Sequence, residues 1–185
     1  PKMSYGNALA LGVESQGEYV HIEIEDDIEV KEFLERINEQ LPDGIKFVKG
    51  QEIDPKTPSL SSIIVYGEYI FNIDLEVPLS KEFVKSRVLN FVKSKEIIIT
   101  KKNKKGKKVE VDIRPMIRNF DLVSLDDNRV TFVSTIATGS KANLNINILI
   151  PQILDMLNLD MDPREVGVLR RDLYKVEDGQ LVTPL

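Results

Sequence analysis

The chain has 185 residues, 42% of them hydrophobic and 30% charged, and a net charge of −5. That is ample apolar material for one large domain or two small ones and excludes a disordered chain, while no apolar run approaches the ~18 residues of a membrane helix. Cysteine is absent and histidine occurs once, which excludes disulfides, thiolate nucleophiles, cysteine-held iron–sulfur clusters and Cys- or His-rich zinc sites within this chain.

Residues 18–25, EYVHIEIE, alternate with Val20, Ile22 and Ile24 on one face, the period of a half-buried strand. An earlier strand within 3–13 is expected to join it through Ser15-Gln16-Gly17. Val30, Phe33, Leu34, Ile37 and Leu41 then recur at helical spacing, and Pro42-Asp43-Gly44 stops that helix. Residues 45–53 read as a returning strand. Two prolines and three serines in 54–62 mark a linker, dividing a unit over 1–58 from one over 59–185.

Beyond the linker, 63–77 is strand-like and punctuated by Gly67. Ser80 is placed to cap a helix running through Lys95, with Phe83, Val84, Val88, Phe91 and Val92 on its buried face. Strands are expected at 96–100 and 109–113, and a hairpin pairs 120–125 with 129–138 across Asp126-Asp127-Asn128. A helix near 148–158 follows. Either Asn147 caps it, with Pro151 at the last amide position that lacks an intrahelical acceptor, or it starts or kinks at Pro151. A final hairpin turns at Asp178-Gly179.

The first unit thus runs strand, strand, helix, strand, the ferredoxin-like order without its first strand and helix. The expected fold is α+β, with two mostly antiparallel sheets, helices on one face and a first unit truncated at its N-terminus. The chain opens at Pro1 and shows no signal peptide, so a processed form or fragment in the cytoplasm is expected. Apolar surface bared by such a truncation makes a homodimer an expected consequence.

The sharpest local feature is KKNKKGKK, residues 101–108, six lysines in eight positions. Removing their +6 leaves −11 on the remainder. Flanked by two strands, the octet reads as a hairpin tip with Gly106 supplying the tight turn. It is either a solvated tip or an electrostatic finger for phosphates. The candidate anion- or nucleic-acid-binding set is Lys101, Lys102, Lys104, Lys105, Lys107 and Lys108, extended by Arg114 and Arg118. The octet carries no aromatic, so any nucleic-acid contact there is directed at the backbone.

Other motifs have plainer readings. Residues 137–145, ATGSKANLN, lack the Walker A spacing, leaving a helix-entry loop or a generic anion site at Gly139, Ser140 and Asn143. His21 completes no triad, with Ser4 and Ser15 the only nearby hydroxyls to consider. The run Glu23, Glu25, Asp26, Asp27, Glu29, Glu32 and Glu35 matches no calcium loop and reads as a solvated face. No metal and no cofactor is expected, and no membrane partner.

Three stretches together, PKMSYGNALALGVESQGEYVHIEI, KKGKKVEVDIRPMI and RRDLYKVEDGQLVTPL, resemble the bacterial radical-SAM-linked protein family across Pro1–Leu185. The first is the most specific and Asp112-Ile113-Arg114-Pro115 the next. Members of that family usually carry an upstream segment of strand and helix character, which this sequence lacks. The resemblance implies an accessory role beside a radical-SAM enzyme, as partner, scaffold or presenter of substrate. It supplies no catalytic residues to carry over. The leading expectation is therefore an accessory protein whose lysine finger holds an anionic substrate such as RNA. Two alternatives stand beside it: a stand-alone RNA-binding or RNA-processing protein, and a purely structural interaction module.

Overall fold

A computed structural model describes residues 2–25, 27–102 and 105–185. Lys104 of the candidate cluster and Asp26 of the acidic run lie outside the described residues. In chain order the elements are β1 (Lys2–Tyr5), β2 (Glu14–Ser15), β3 (Val20–Glu23), α1 (Val30–Asn38), α2 (Leu60–Ile63), β4 (Tyr66–Asp74) and α3 (Lys81–Lys93). There follow β5 (Ile98–Lys102), β6 (Lys108–Asp112), β7 (Ile117–Leu125), β8 (Arg129–Ala137), α4 (Ile146–Leu157), β9 (Gly167–Glu177) and β10 (Gln180–Val182). Short 3-10 turns occupy Arg114–Met116 and Pro163–Glu165.

The main sheet is antiparallel in the order β10-β9-β4-β8-β7, and β2 adds to the β9 edge in parallel. Its four long strands and two helices follow one another as β4, α3, β7, β8, α4, β9. That is a strand–helix–strand–strand–helix–strand connectivity, compatible with ferredoxin-like topology. The fold is mixed α+β, with α3 and α4 on one face of the sheet. β5 and β6 pair only with each other and stand as an insertion between α3 and β7.

Strict alternation in β4 decides which face the helices cover. Gly67, Tyr69, Phe71 and Ile73 are buried, whereas Tyr66, Glu68, Ile70 and Asn72 between them are only half-buried. Val130, Phe132 and Ile136 of β8 join the buried set, against Val84 of α3 and Leu149, Ile150, Ile153, Leu154 and Leu157 of α4. Each such side chain contributes about 1.5–3 kcal/mol of transfer free energy. Phe120 of β7 sits 5.0 Å, centroid to centroid, from both Phe91 of α3 and Phe132 of β8, tying helix to sheet.

Ser80 caps α3 as its position predicts, accepting from the Phe83 amide at 3.2 Å. The cap of α4 is Asn145, two residues before the Asn147 considered from sequence. Pro151 therefore lies in the helix interior, where the Asn147 carbonyl loses its usual amide partner. Burial of six apolar residues on this helix outweighs that loss.

Two expectations, at 45–53 and at 3–13, need correction. Residues 45–53 pair with no strand among the described residues; instead the Asn38 side chain holds both the amide and the carbonyl of Phe47. Next in the chain, α2 closes the 54–62 stretch and buries Leu60 with Ile64 against Leu173. The strand foreseen over 3–13 shrinks to β1, antiparallel to β3. Gln16 donates to the Arg170 carbonyl, so Ser15-Gln16-Gly17 follows the β9 edge and is not a simple hairpin turn. A Cβ on Gly17 would lie 2.6 Å from the Arg171 carbonyl oxygen, which is why only glycine fits this approach.

Arg170 fixes the N-terminal segment to that edge. Only 1% exposed, its guanidinium donates to both carboxylate oxygens of Glu18 at 2.7 and 2.6 Å, and to the Asn7 and Ala8 carbonyls. Burial works against this cation, but the Glu18 carboxylate and Tyr69 outweigh it and hold its pKa above the ordinary value. A β-bulge at Arg171 makes the arrangement consistent: Tyr69 pairs with Arg170 while Glu68 pairs with Asp172. The extra residue returns Leu173 to the buried face, where regular alternation would turn it outward.

Candidate functional site

The octet lies on the β5–β6 hairpin. Its register sets Ile99 opposite Val111, Lys101 opposite Val109 and Lys102 opposite Lys108. Ile99 is buried, while Lys101, Lys102, Lys105, Lys107 and Lys108 are all exposed. Gly106 adopts φ +75°, the left-handed conformation that the tip requires. Lys102 and Lys108 are cross-strand neighbours of like charge, a pairing that destabilises a ladder.

The root of this hairpin explains the Asp112-Ile113-Arg114-Pro115 stretch. One Asp112 oxygen accepts from the amides of Ile97 (2.8 Å) and Arg114 (2.9 Å), and Ile113 is buried. The Arg114 guanidinium donates to the Val92 carbonyl at the end of α3 and to the Ile117 carbonyl at the start of β7, both at 2.8 Å. Pro115 is the second residue of the 3-10 turn Arg114–Met116, where its missing amide costs nothing. Arg114 thus holds the hairpin to the body, and its charge is directed inward. Arg118 takes a third position. It lies over the Tyr66 ring, 5.3 Å from the centroid, and donates to the Gly179 carbonyl at 3.3 Å.

Arg118 and Tyr66 belong to the sheet face opposite the helices. Register places Tyr174 beside Tyr66 at one end of that face, then Asp172, Glu68, Thr135 and Asn119, then Leu169, Ile70, Val133 and Asp121. Glu68 pairs with Arg171 at 3.4 Å. Asp172 accepts from the Tyr19 hydroxyl at 2.7 Å and from the Leu173 amide. Burial first, then the nearby Glu68 and Asp172 carboxylates, raise the Tyr174 pKa, so its hydroxyl stays protonated at neutral pH. Sequence reasoning missed Tyr66 and Tyr174. The usable signal for Tyr66 was parity, out of phase with Gly67, Tyr69, Phe71 and Ile73; Tyr174 shares the parity of the buried Val168 and Arg170 and reaches this face only through the bulge at Arg171.

Other candidates remain dispersed. Ser4 and His21 are partners in the β1–β3 ladder, with no side-chain hydrogen bond between them among the described residues, and Ser15 bonds Glu18 and the Arg170 carbonyl. Among the described residues no group of three or more His, Asp and Glu side chains is arranged to hold a metal ion. The 137–145 loop is closed by a Thr138–Asn143 bridge, and a Cβ on Gly139 would come within 3.0 Å of Ile64 and Val65. A cleft of about 410 Å³ beside α1 is lined by Ile24, Ile28, Phe33 and Ile37 with Arg36, Glu39 and Gln40 at its edges. It brings no nucleophile and base together. Among the described residues no helix is long and apolar enough to cross a membrane.

Fold and site together define an α+β protein on an antiparallel sheet, with a basic hairpin inserted before an outer strand. Residues 1–146 match the family model described as "Uncharacterized protein conserved in bacteria" (DUF2344), and the chain belongs to that family. No curated protein and no solved structure matches it.

Proposed function

We propose that this chain is an accessory protein that holds a phosphate-rich substrate, RNA above all, on its lysine hairpin. The observation that carries the reading is the β5–β6 hairpin itself: an insertion outside the main sheet, locked at its root by Asp112 and Arg114, presenting Lys102 and Lys108 side by side. A hairpin needed only for solubility has no use for like charges in register. A phosphate between them turns that repulsion into attraction. The proposed protein partner is a radical-SAM enzyme, and its support is the sequence resemblance over the three stretches quoted above.

Two measurements test the reading. Fluorescence anisotropy with a labelled single-stranded RNA should show weaker binding when Lys102, Lys105, Lys107 and Lys108 are replaced together by glutamine. Affinity purification with cross-linking from a native bacterial host should recover a radical-SAM protein. Unchanged RNA affinity in the quadruple variant removes the hairpin from the account, and recovery of no such enzyme removes the partner.

A further inference from the structure

We propose that the uncovered face of the main sheet is a stacking platform for unpaired bases of a single-stranded nucleic acid whose backbone the lysine hairpin engages. This rests on the polyanion reading above and adds the chemical class of the ligand. Tyr66 and Tyr174 are direct cross-strand neighbours on that face, and the Arg118 guanidinium lies over the Tyr66 ring. Phenol rings and guanidinium planes are the surfaces on which bases stack, and they accept any base because each has a π-face.

The surrounding charges suit such a ligand. Glu68 is countered by Arg171, and Asp172 is engaged by Tyr19 and Leu173, so neither carboxylate stands bare beside the rings. The half-buried row of Leu169, Ile70 and Val133 continues the platform as an apolar floor, ending at the sheet's outer strand in the exposed Asp121, which accepts from the Asn119 amide at 3.3 Å. Beyond it, Asn72 and Thr131 bond each other at 2.9 Å and offer amide and hydroxyl groups.

Position links the platform to the hairpin. β6 runs from Lys108 to Asp112 and β7 begins at Ile117, so Arg118 stands within ~20 Å of the hairpin root and ~33 Å of Lys108 even along a fully extended path, a span that a 12-mer strand covers. One strand of nucleic acid then meets lysines through its phosphates and the tyrosine end of the sheet through its bases. A duplex keeps its bases stacked inside and gains nothing from this face. A base-free polyanion gains only the lysines.

The test compares three probes of equal length with the whole chain: a 12-mer of uridylate, its abasic counterpart, and linear polyphosphate. The parent should prefer the base-bearing strand over the abasic one by about tenfold or more, the range for one stacked base. A Tyr66→Leu/Tyr174→Leu variant should lose that preference while binding polyphosphate like the parent, and Tyr66→Phe/Tyr174→Phe should retain it. Equal affinity of the parent for uridylate and abasic strands overturns the platform and leaves the lysine hairpin standing, with no variant required to fold. Failure of all three probes to bind overturns both.

Discussion

Arg170 shows how much structure one side chain organises. Its fork satisfies a carboxylate and two backbone carbonyls of a segment more than 150 positions away, covering part of an edge strand that would otherwise expose unpaired groups. Glu18→Gln leaves that cation buried with a neutral partner. A buried pair broken from one side costs ~3–5 kcal/mol, and the 41% exposure of Glu18 reduces this to roughly 2–4 kcal/mol in denaturant unfolding. Arg170→Lys should also destabilise, because a single ammonium does not reproduce the fork. Elsewhere, the half-buried Asp162 accepts from the Arg164 guanidinium and amide, which lowers its pKa to about 2. A carboxyl depressed below its unfolded value contributes stability that is present above about pH 4 and lost as pH falls through 2. An NMR titration should therefore place the Asp162 midpoint near 2. In Arg164→Gln it should return toward the ordinary carboxylate range. A normal midpoint in the parent contradicts the clamp.

At the scale of elements, the lysine hairpin separates two kinds of basic residue that look alike in sequence. Arg114 makes two charge-assisted bonds to backbone carbonyls, each contributing about 1.5–3 kcal/mol. Arg114→Met should lower the melting temperature measurably, whereas the four lysine-to-glutamine replacements should leave it unchanged or slightly raised by relieving the Lys102–Lys108 repulsion. Calorimetry on both variants checks this, and a large loss of stability in the lysine variant contradicts the picture of an exposed finger. Sequence made the finger legible because the β-branched run Ile97-Ile98-Ile99 and the alternating Val109–Ile113 stretch enclosed a run that had no apolar side chain to bury and a glycine at its turn. Ser80 was legible for the same local reason. The docking of Glu14–Ser15 onto β9 was not, since a two-residue parallel pairing leaves no periodicity. The strand misplaced at 45–53 shows the converse: alternation names a strand only when a partner edge exists. The inward direction of Arg114 was not legible, because charge in sequence does not reveal which carbonyls a guanidinium reaches.

At the scale of the whole molecule, the two faces of the main sheet differ. Helices α3 and α4 seal one face into the core, the other carries Tyr66, Tyr174, Glu68 and Asp172 beside the half-buried apolar row of Leu169, Ile70 and Val133, and the inserted hairpin concentrates +6 of charge in a chain that is otherwise strongly acidic. That separation of charge matters physically. A −11 remainder repels nucleic acid at long range, so any affinity must come from close contact at the hairpin and must be screened by salt. The most direct measurement is the dissociation constant for a single-stranded RNA across a salt series, for the parent and for the variant with Lys102, Lys105, Lys107 and Lys108 changed to glutamine. With about four phosphates engaged, the parent should show a log–log slope near −3, at ~−0.7 per contact, and the variant should bind more weakly with a slope approaching zero. Equal affinities and equal slopes for the two proteins would contradict the central claim that the hairpin is a grip for phosphates.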